Sequence, residues 1–109
     1  MAVQELVNSS IDENTVTIFS KSWCPYCRAA KSLFEKEYPD VPTKIFELDE
    51  MEEGAEIQSY LAQKTGQRTV PNIFVNKQHI GGNDATQAAF RSGKLQTLIA
   101  ARPANLARL

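Results

Sequence analysis

The only two cysteines of this 109-residue sequence, Cys24 and Cys27, stand three positions apart. A β-branched run over residues 15–19 precedes them and predicts a strand, whereas Pro25 suits the first turn of a helix that follows. The spacing lets the two sulfurs close a small ring where unpaired backbone N–H groups favour a thiolate. A strand, a Cys-x-x-Cys pair and a helix together predict a redox-active dithiol.

Other uses of the two cysteines fit the sequence less well. A structural zinc site needs four ligands, and the chain adds only one histidine, His79, far along the sequence. A structural disulfide that closes so short a loop would constrain the unfolded chain little. Two unrelated buried cysteines would not need this spacing or this strand-to-helix context.

The composition predicts a single globular domain over residues 1–109, since 42% of residues are apolar and 23% are charged. A net charge of −1 gives no electrostatic basis for nucleic-acid binding. We find neither an apolar run of membrane-spanning length nor the basic and apolar regions of a signal peptide. So few cysteines favour a reducing compartment, and we expect a cytoplasmic location.

The apolar periodicity predicts elements in the order α-β-α-β-α-β-β-α-α. The first four are a helix that ends at the polar run 8–10, a buried strand over 16–19, a helix from Pro25 that Pro39 stops, and a strand over 44–48. Since a helical crossover joins these two strands, we expect them to be parallel.

The second half of the chain predicts a helix followed by a hairpin and two more helices. The first helix has acidic residues 52, 53 and 56 at its start and Gly66 as terminator. Strands 73–75 and 78–80 flank a turn at 76–77. A helix capped by Asn83 or Asp84 then runs through Phe90, and a last helix lies around 95–99. Residues 104–109 either extend the last helix or fray. The whole predicts an α/β fold with one four-stranded mixed sheet and helices on both faces.

The residues between and around the cysteines resemble those of a known family. The sequence Cys24-Pro25-Tyr26-Cys27 is similar to the active site of the dithiol glutaredoxins. Further matches follow in order along the chain: Lys21, Gln58, Thr69-Val70-Pro71 and Gly81-Gly82-Asn83-Asp84. Thioredoxins typically carry Gly-Pro between their cysteines, so Pro25-Tyr26 indicates the branch that uses glutathione.

This resemblance implies a thioredoxin fold and a glutathione-dependent thiol–disulfide oxidoreductase. Its substrates would be protein disulfides and glutathione mixed disulfides. Glutathione would be the co-substrate, recycled by its own reductase, with no metal needed. The expected partners are therefore glutathione and proteins that carry glutathione or disulfides, and the expected state is a monomer.

The two cysteines are expected to have different roles. Cys24, at the helix boundary, should be exposed and acidic and should attack, whereas Cys27 lies one turn further in and should resolve mixed disulfides. The helix dipole and a nearby cation would favour the Cys24 thiolate. Lys21 is the candidate cation, although a solvated surface lysine is the alternative, and Arg28 is expected at the surface.

The resemblance also implies a glutathione site, formed by Lys21, Tyr26, Gln58, Thr69, Val70, Pro71, Gly82, Asn83 and Asp84. Lys21 and Gln58 would lie near the glycine carboxylate. Arg68 is a cation that could assist there, but it is not assigned to the site. The backbone of Val70, before a cis Pro71, would pair with the cysteinyl part. The segment 82–84 would hold the γ-glutamyl end. The alternatives are that Tyr26 packs locally, that Gln58 is a surface amide and that Gly81-Gly82 is only a turn.

One position departs from the family pattern. Many members carry an acidic residue where this chain has Ala85, which leaves Asp84 as the carboxylate for the γ-glutamyl amine. His79 alternates with Ile80 in a short strand and is expected to face solvent rather than to act as a base.

Two other functions remain open from sequence. One is a thioredoxin-like reductant, against which Tyr26 and Lys21 argue. The other is a dimeric carrier of an iron–sulfur cluster ligated by Cys24 and glutathione, against which the stiff Pro25 and the competing thiol of Cys27 argue.

Overall fold

The computed structural model describes residues 2–101, so the predictions for residues 104–109 lie outside the described part. The helices are α1 (Ala2–Glu13), α2 (Pro25–Glu37), α3 (Gly54–Thr65), α4 (Asn83–Arg91) and α5 (Lys94–Ala100), with a short 3₁₀ turn at Leu48–Glu50. The strands are β1 (Val16–Ser20), β2 (Thr43–Glu47), β3 (Asn72–Val75) and β4 (Gln78–Gly81). This is the element order that the sequence predicts.

The four strands form one mixed sheet in the order β2-β1-β3-β4. β1 and β2 are parallel, and their last residues, Ser20 and Glu47, lie side by side. β3 runs antiparallel to both β1 and β4. The predicted α/β architecture is therefore confirmed, and the carboxyl end of β1 delivers the chain to the two cysteines.

The sheet has a hydrophobic core on each face, because side chains of a strand point alternately to its two sides. Val16 and Ile18 of β1 face a cluster that α2, α4 and α5 cover. Phe19 faces the other cluster, which α1 and α3 cover and in which its ring stacks on that of Phe46 at 5.2 Å. With α2 thus fixed on the sheet, the position of its first turn is fixed as well.

The first helix is longer than the sequence predicts, since α1 continues through the polar run 8–10 to Glu13. The hydroxyl of Ser9 donates to the carbonyl of Glu5 at 2.7 Å within the helix, which satisfies the serine without breaking it. Val7 and Ile11, one turn apart, are both buried on the sheet. Packing of this apolar face outweighs the weak helix propensity of the polar run.

The end of β2 also differs from the prediction, whereas α3 ends at the predicted residue. β2 ends at Glu47, because Leu48 turns inward and starts the 3₁₀ turn. Gly66 ends α3 with a φ of 80°, a left-handed conformation that glycine adopts without strain. Among the helices of residues 2–101, none combines the length and apolarity needed to cross a membrane.

Candidate active site

The loop between β1 and α2 carries the two cysteines. Cys24 is the N-cap residue of α2 in an extended conformation, and Pro25 is the first helical residue. Asp49, which follows β2, accepts hydrogen bonds from the backbone N–H of Ser22 at 2.9 Å and from its hydroxyl. These bonds lower the pKa of Asp49 and anchor the loop to the neighbouring strand. The sequence gives no local signal for this anchor, because the two residues lie on different segments.

The sulfurs are less accessible than the sequence predicts. Cys24 is only 7% exposed, so the expectation of an exposed thiol is wrong, whereas Cys27 is fully buried as the inner residue. The flanking aromatic residues Trp23 and Tyr26 are each 64% exposed. The dithiol is therefore accessible only through the small exposed part of Cys24, whereas the two nearby rings project into solvent.

The surroundings of Cys24 favour its thiolate. Burial acts to raise the pKa of this thiol, but hydrogen bonds from the backbone and side chain of Cys27 and from the backbone of Tyr26, together with the charge of Lys31, outweigh it. The pKa of Cys24 consequently lies below its ordinary value. These N–H groups belong to the first turn of α2, which has no earlier carbonyls to bond.

The pKa of Cys27 is shifted in the opposite direction, above its ordinary value. Burial is the main cause that raises the pKa of its thiol, and the neighbouring charge of Cys24 adds to it. The backbone N–H of Lys21 donates to the Cys27 sulfur at 3.4 Å. This bond lowers the pKa of Cys27, but by less than burial raises it. The geometry thus favours the thiolate form at Cys24 over the thiolate form at Cys27.

The cation that lowers the pKa of Cys24 is Lys31 rather than the Lys21 that the sequence favours. Lys21 is half-buried, and its ammonium lies 5.8 Å from the centre of the Trp23 ring. Sequence reasoning missed Lys31, which follows Cys24 by about two helical turns and Cys27 by about one. Its relation to them depends on the helix spacing alone. Arg28 is exposed, as expected.

A groove of about 500 Å³ opens beside the dithiol. Seven residues of the proposed glutathione site line it together with Ala85: Tyr26, Thr69, Val70, Pro71, Gly82, Asn83 and Asp84. The peptide bond between Val70 and Pro71 is cis, as the resemblance implies. Residues from three separate segments therefore meet in one cavity, although their binding role stays a prediction.

Gln67 braces one wall of this groove. Its side-chain amide donates to the carbonyl of Thr69 at 3.0 Å and to that of Pro71 at 2.9 Å, which spans Val70 on both sides. Sequence reasoning missed this residue. A glutamine just after the terminator Gly66 carries no pattern of its own.

Gln58 lies outside the groove, in a shallow cavity of about 310 Å³ that Arg68 also lines. The amide of Gln58 donates to the backbone carbonyl of Arg68 at 3.0 Å. Arg68 directly precedes Thr69, so neighbouring residues of one segment line the two cavities. Lys21 lines neither cavity.

The start of α4 differs from the predicted cap. Gly82 is the N-cap residue and no side chain caps the helix, so the prediction of Asn83 or Asp84 as cap is wrong. The side-chain oxygen of Asn83 instead accepts from Gln87 at 3.1 Å. Asp84 is exposed in the first helical turn, where backbone N–H groups favour negative charge. Its carboxylate is thus not shared with a capping role.

His79 does not face solvent as predicted. It is half-buried, and its Nε2 donates to the side-chain oxygen of Asn72 at 2.9 Å. Burial lowers the pKa of His79. The neutral ring therefore has a structural role between β3 and β4.

Comparisons with known proteins agree with this geometry. A family model described as Glutaredoxin matches residues 16–80. Glutaredoxin-C4 of Arabidopsis thaliana is 46% identical over 95 residues, which are 87% of this chain and 69% of that protein. Glutaredoxin-1 of Rhizophagus irregularis is 48% identical over 99 residues, 91% of this chain and 96% of that protein.

A solved structure is also similar. The crystal structure of a buckwheat glutaredoxin–glutathione complex superposes with a TM-score of 0.85 at 36% identity and covers 93% of this chain and 90% of that one. The family model spans more than half of the sequence, and relatives at nearly half identity cover most of it. With its mixed sheet and its dithiol at the start of α2, the chain belongs to the glutaredoxin family, the glutathione-related thiol oxidoreductases of the thioredoxin superfamily.

Proposed function

We propose that the protein reduces glutathione mixed disulfides and protein disulfides, with Cys24 as nucleophile and Cys27 as resolving thiol. The proposal rests on the opposite pKa shifts of the two thiols: the pKa is lowered at Cys24 and raised at Cys27. The thiolate is the reactive form in thiol–disulfide exchange, so Cys24, whose pKa is lowered, attacks first. Cys27, whose pKa is raised, stays protonated until a mixed disulfide has formed.

On a glutathionylated protein, the Cys24 thiolate attacks the glutathione sulfur. The S–S bond to the substrate breaks, a new S–S bond joins Cys24 to glutathione, and the substrate leaves as a thiolate that takes up a proton. A second glutathione, as thiolate, then attacks the glutathione sulfur on Cys24. Glutathione disulfide leaves and Cys24 returns as a thiolate.

On a protein disulfide, Cys24 forms a mixed disulfide with one substrate sulfur, and the other substrate sulfur leaves as a thiol after protonation. Cys27 then loses its proton and attacks the Cys24 sulfur, which releases the second substrate thiol and leaves a Cys24–Cys27 disulfide. Two glutathione molecules reduce that disulfide. Loss of the negative charge at Cys24 removes one of the causes that raise the pKa of Cys27, which favours this second step.

The groove supports glutathione as the co-substrate. Glutathione has a peptide-like middle and a charged γ-glutamyl end. The groove offers the backbone of Val70 for the first and the start of α4 with Asp84 for the second. The buckwheat relative, whose structure is described as a glutathione complex, has the same fold. We infer that glutathione lies along this groove with its sulfur toward Cys24.

Two cysteine variants test the division of roles. Cys24→Ser should lose both activities, because the remaining thiol is fully buried and has a raised pKa. Cys27→Ser should keep glutathione removal, since free glutathione attacks the Cys24 adduct, and should lose efficiency on protein disulfides. The assays are turnover of a glutathionylated peptide and of a protein disulfide, both coupled to glutathione reductase.

The comparison of the two assays decides the outcome. Equal loss of both activities in Cys27→Ser would contradict the assigned roles. Turnover with thioredoxin reductase but not with glutathione would favour the thioredoxin-like alternative. An absorption spectrum of protein purified without oxygen tests the iron–sulfur alternative.

A further inference from the structure

A charged pair lies beside the dithiol but outside the glutathione groove. Lys31 of α2 donates to one carboxylate oxygen of Glu47 at 2.6 Å. The hydroxyl of Ser20 donates to the other carboxylate oxygen at 2.7 Å. Both oxygens of Glu47 are therefore held, one by a cation and one by a neutral donor.

The register of the sheet brings this pair to the cysteines. Ser20 and Glu47 are paired as the last residues of β1 and β2, and the next residue after Ser20 donates its backbone N–H to the sulfur of Cys27 at 3.4 Å. The Ser20 side chain also lies close enough to that thiol to lower its pKa, although burial keeps the net shift upward.

The helix brings Lys31 to the same place. Residues spaced by three and four positions share one face of an α-helix, so Cys24, Cys27 and Lys31 form one row along α2. Lys31 and Glu47 each have side chains that are 24% exposed. Their charges are consequently screened less than those of a pair standing free in water.

We propose that the Lys31–Glu47 pair is a positioning pair that sets the reduction potential of the Cys24–Cys27 dithiol, because it fixes the net charge next to the two sulfurs. The inference rests on the dithiol chemistry proposed above and deepens it. Neither residue touches the substrate groove, so each acts through the cysteines.

The electron and proton balance shows why this charge matters. When two glutathione molecules reduce the protein disulfide, its S–S bond breaks, one S–S bond forms between the two glutathione sulfurs, and two electrons pass to the protein. One of the two glutathione protons goes to Cys27, and the other goes to solvent while Cys24 stays a thiolate. Negative charge thus exists only in the reduced form. A nearby cation stabilises that form, and a nearby carboxylate opposes it.

Neutralising the two partners should therefore have opposite effects. Glu47→Gln leaves the charge of Lys31 unopposed, so the reduced form should gain about two- to fivefold in the equilibrium with a glutathione buffer. Lys31→Gln leaves the carboxylate unopposed and should shift the same equilibrium about two- to fivefold toward the disulfide. The double variant should return close to the original value.

The experiment measures the equilibrium across a series of ratios of glutathione to glutathione disulfide. A second readout is the ultraviolet absorbance of the Cys24 thiolate against pH, in a Cys27→Ser background. The pKa of Cys24 should fall in Glu47→Gln and rise in Lys31→Gln. The other charged groups near the cysteines are Lys21, Arg28 and Asp49, and they stay unchanged in every variant.

Matched controls lie on the same helix. Lys36→Gln and Glu37→Gln remove the same charges at exposed positions near the end of α2 and should leave both readouts unchanged. Lys31→Arg keeps the charge and should keep the original equilibrium. If Glu47→Gln does not fold, the contrast between Lys31→Gln and Lys31→Arg still decides the proposal.

A purely structural salt bridge gives a different result. Loss of either partner would then lower the melting temperature without moving the equilibrium, or would move it in the same direction in both variants. Either result would overturn the proposal. The equilibrium depends on the relative stability of dithiol and disulfide, and the absorbance depends on the Cys24 thiol alone, so failure of the glutathione groove to bind would reduce turnover without altering either readout.

Discussion

Replacing Gln67 with alanine tests whether the groove wall must be braced. The amide of Gln67 donates to the carbonyls of Thr69 and Pro71, the residues on either side of Val70. Its loss frees both carbonyls and leaves Val70 without that support. We expect lower stability and weaker use of glutathione mixed disulfides.

The size of each effect follows from the two bonds. A neutral hydrogen bond contributes about 0.5–1.5 kcal/mol, and the bond to Thr69 is exposed and partly replaced by water. We therefore expect a loss of about 1–2 kcal/mol in the free energy of unfolding, and a melting temperature lower by about 5–10 °C in a domain of this size. Ordering a freed Val70 segment on binding should raise KM about three- to tenfold, since such ordering costs about 0.5–1.5 kcal/mol.

The assays are thermal unfolding and turnover of a glutathionylated peptide at several substrate concentrations. Gln67→Glu has the same shape but places a carboxylate oxygen against two carbonyls, so it should be at least as harmful as alanine. Gln63→Ala, at an exposed position of α3, is the matched control and should change neither quantity. Lower stability with an unchanged KM would show that the brace does not position Val70. Wild-type behaviour of Gln67→Glu would refute the hydrogen-bonding argument itself.

Two further predictions concern single side chains. Asp84→Asn should weaken the apparent affinity for a glutathione mixed disulfide a few-fold, because the exposed carboxylate is the candidate partner of the γ-glutamyl amine. Ala85→Asp should strengthen it, and both effects should shrink at higher salt; if neither variant changes the affinity, backbone groups alone hold that end. Burial lowers the pKa of His79, so the unfolded chain binds a proton at a higher pH than the folded chain does. Stability should therefore fall as the pH drops below about 6.5, the pKa of an unperturbed histidine. His79→Gln should remove this part of the pH dependence in urea unfolding, and an unchanged pH dependence in that variant would contradict the assignment.

The elements of the fold were largely predictable from local sequence. β-Branched runs, helical periodicity and terminators such as Gly66 act over a few residues, so they can be read without the fold. The length of α1 was not predictable in this way. Burial of Ile11 against the sheet carries the helix through residues that alone favour an end.

The candidate active site likewise combines features that the sequence predicts with features that depend on the fold. The dithiol spacing and the segments that line the groove stand in the sequence itself, and the resemblance to the glutaredoxins indicated which segments would meet. The prediction of an exposed Cys24 was wrong, because Cys24 is buried while the neighbouring Trp23 and Tyr26 are exposed. Exposure depends on how a loop packs, and a local pattern does not report it.

The sequence by itself determined the chemistry, since two thiols three residues apart at a helix start can form a reactive pair in any fold that presents them. Only the tertiary structure decided which groups surround that pair and which brace the groove beside it. Lys31 meets Glu47 because α2 packs beside β2, and Gln67 reaches Pro71 because the chain turns back before β3. Charges and hydrogen bonds act over a few ångströms in space whatever the separation along the chain, so their partners became visible only once the path of the backbone was known.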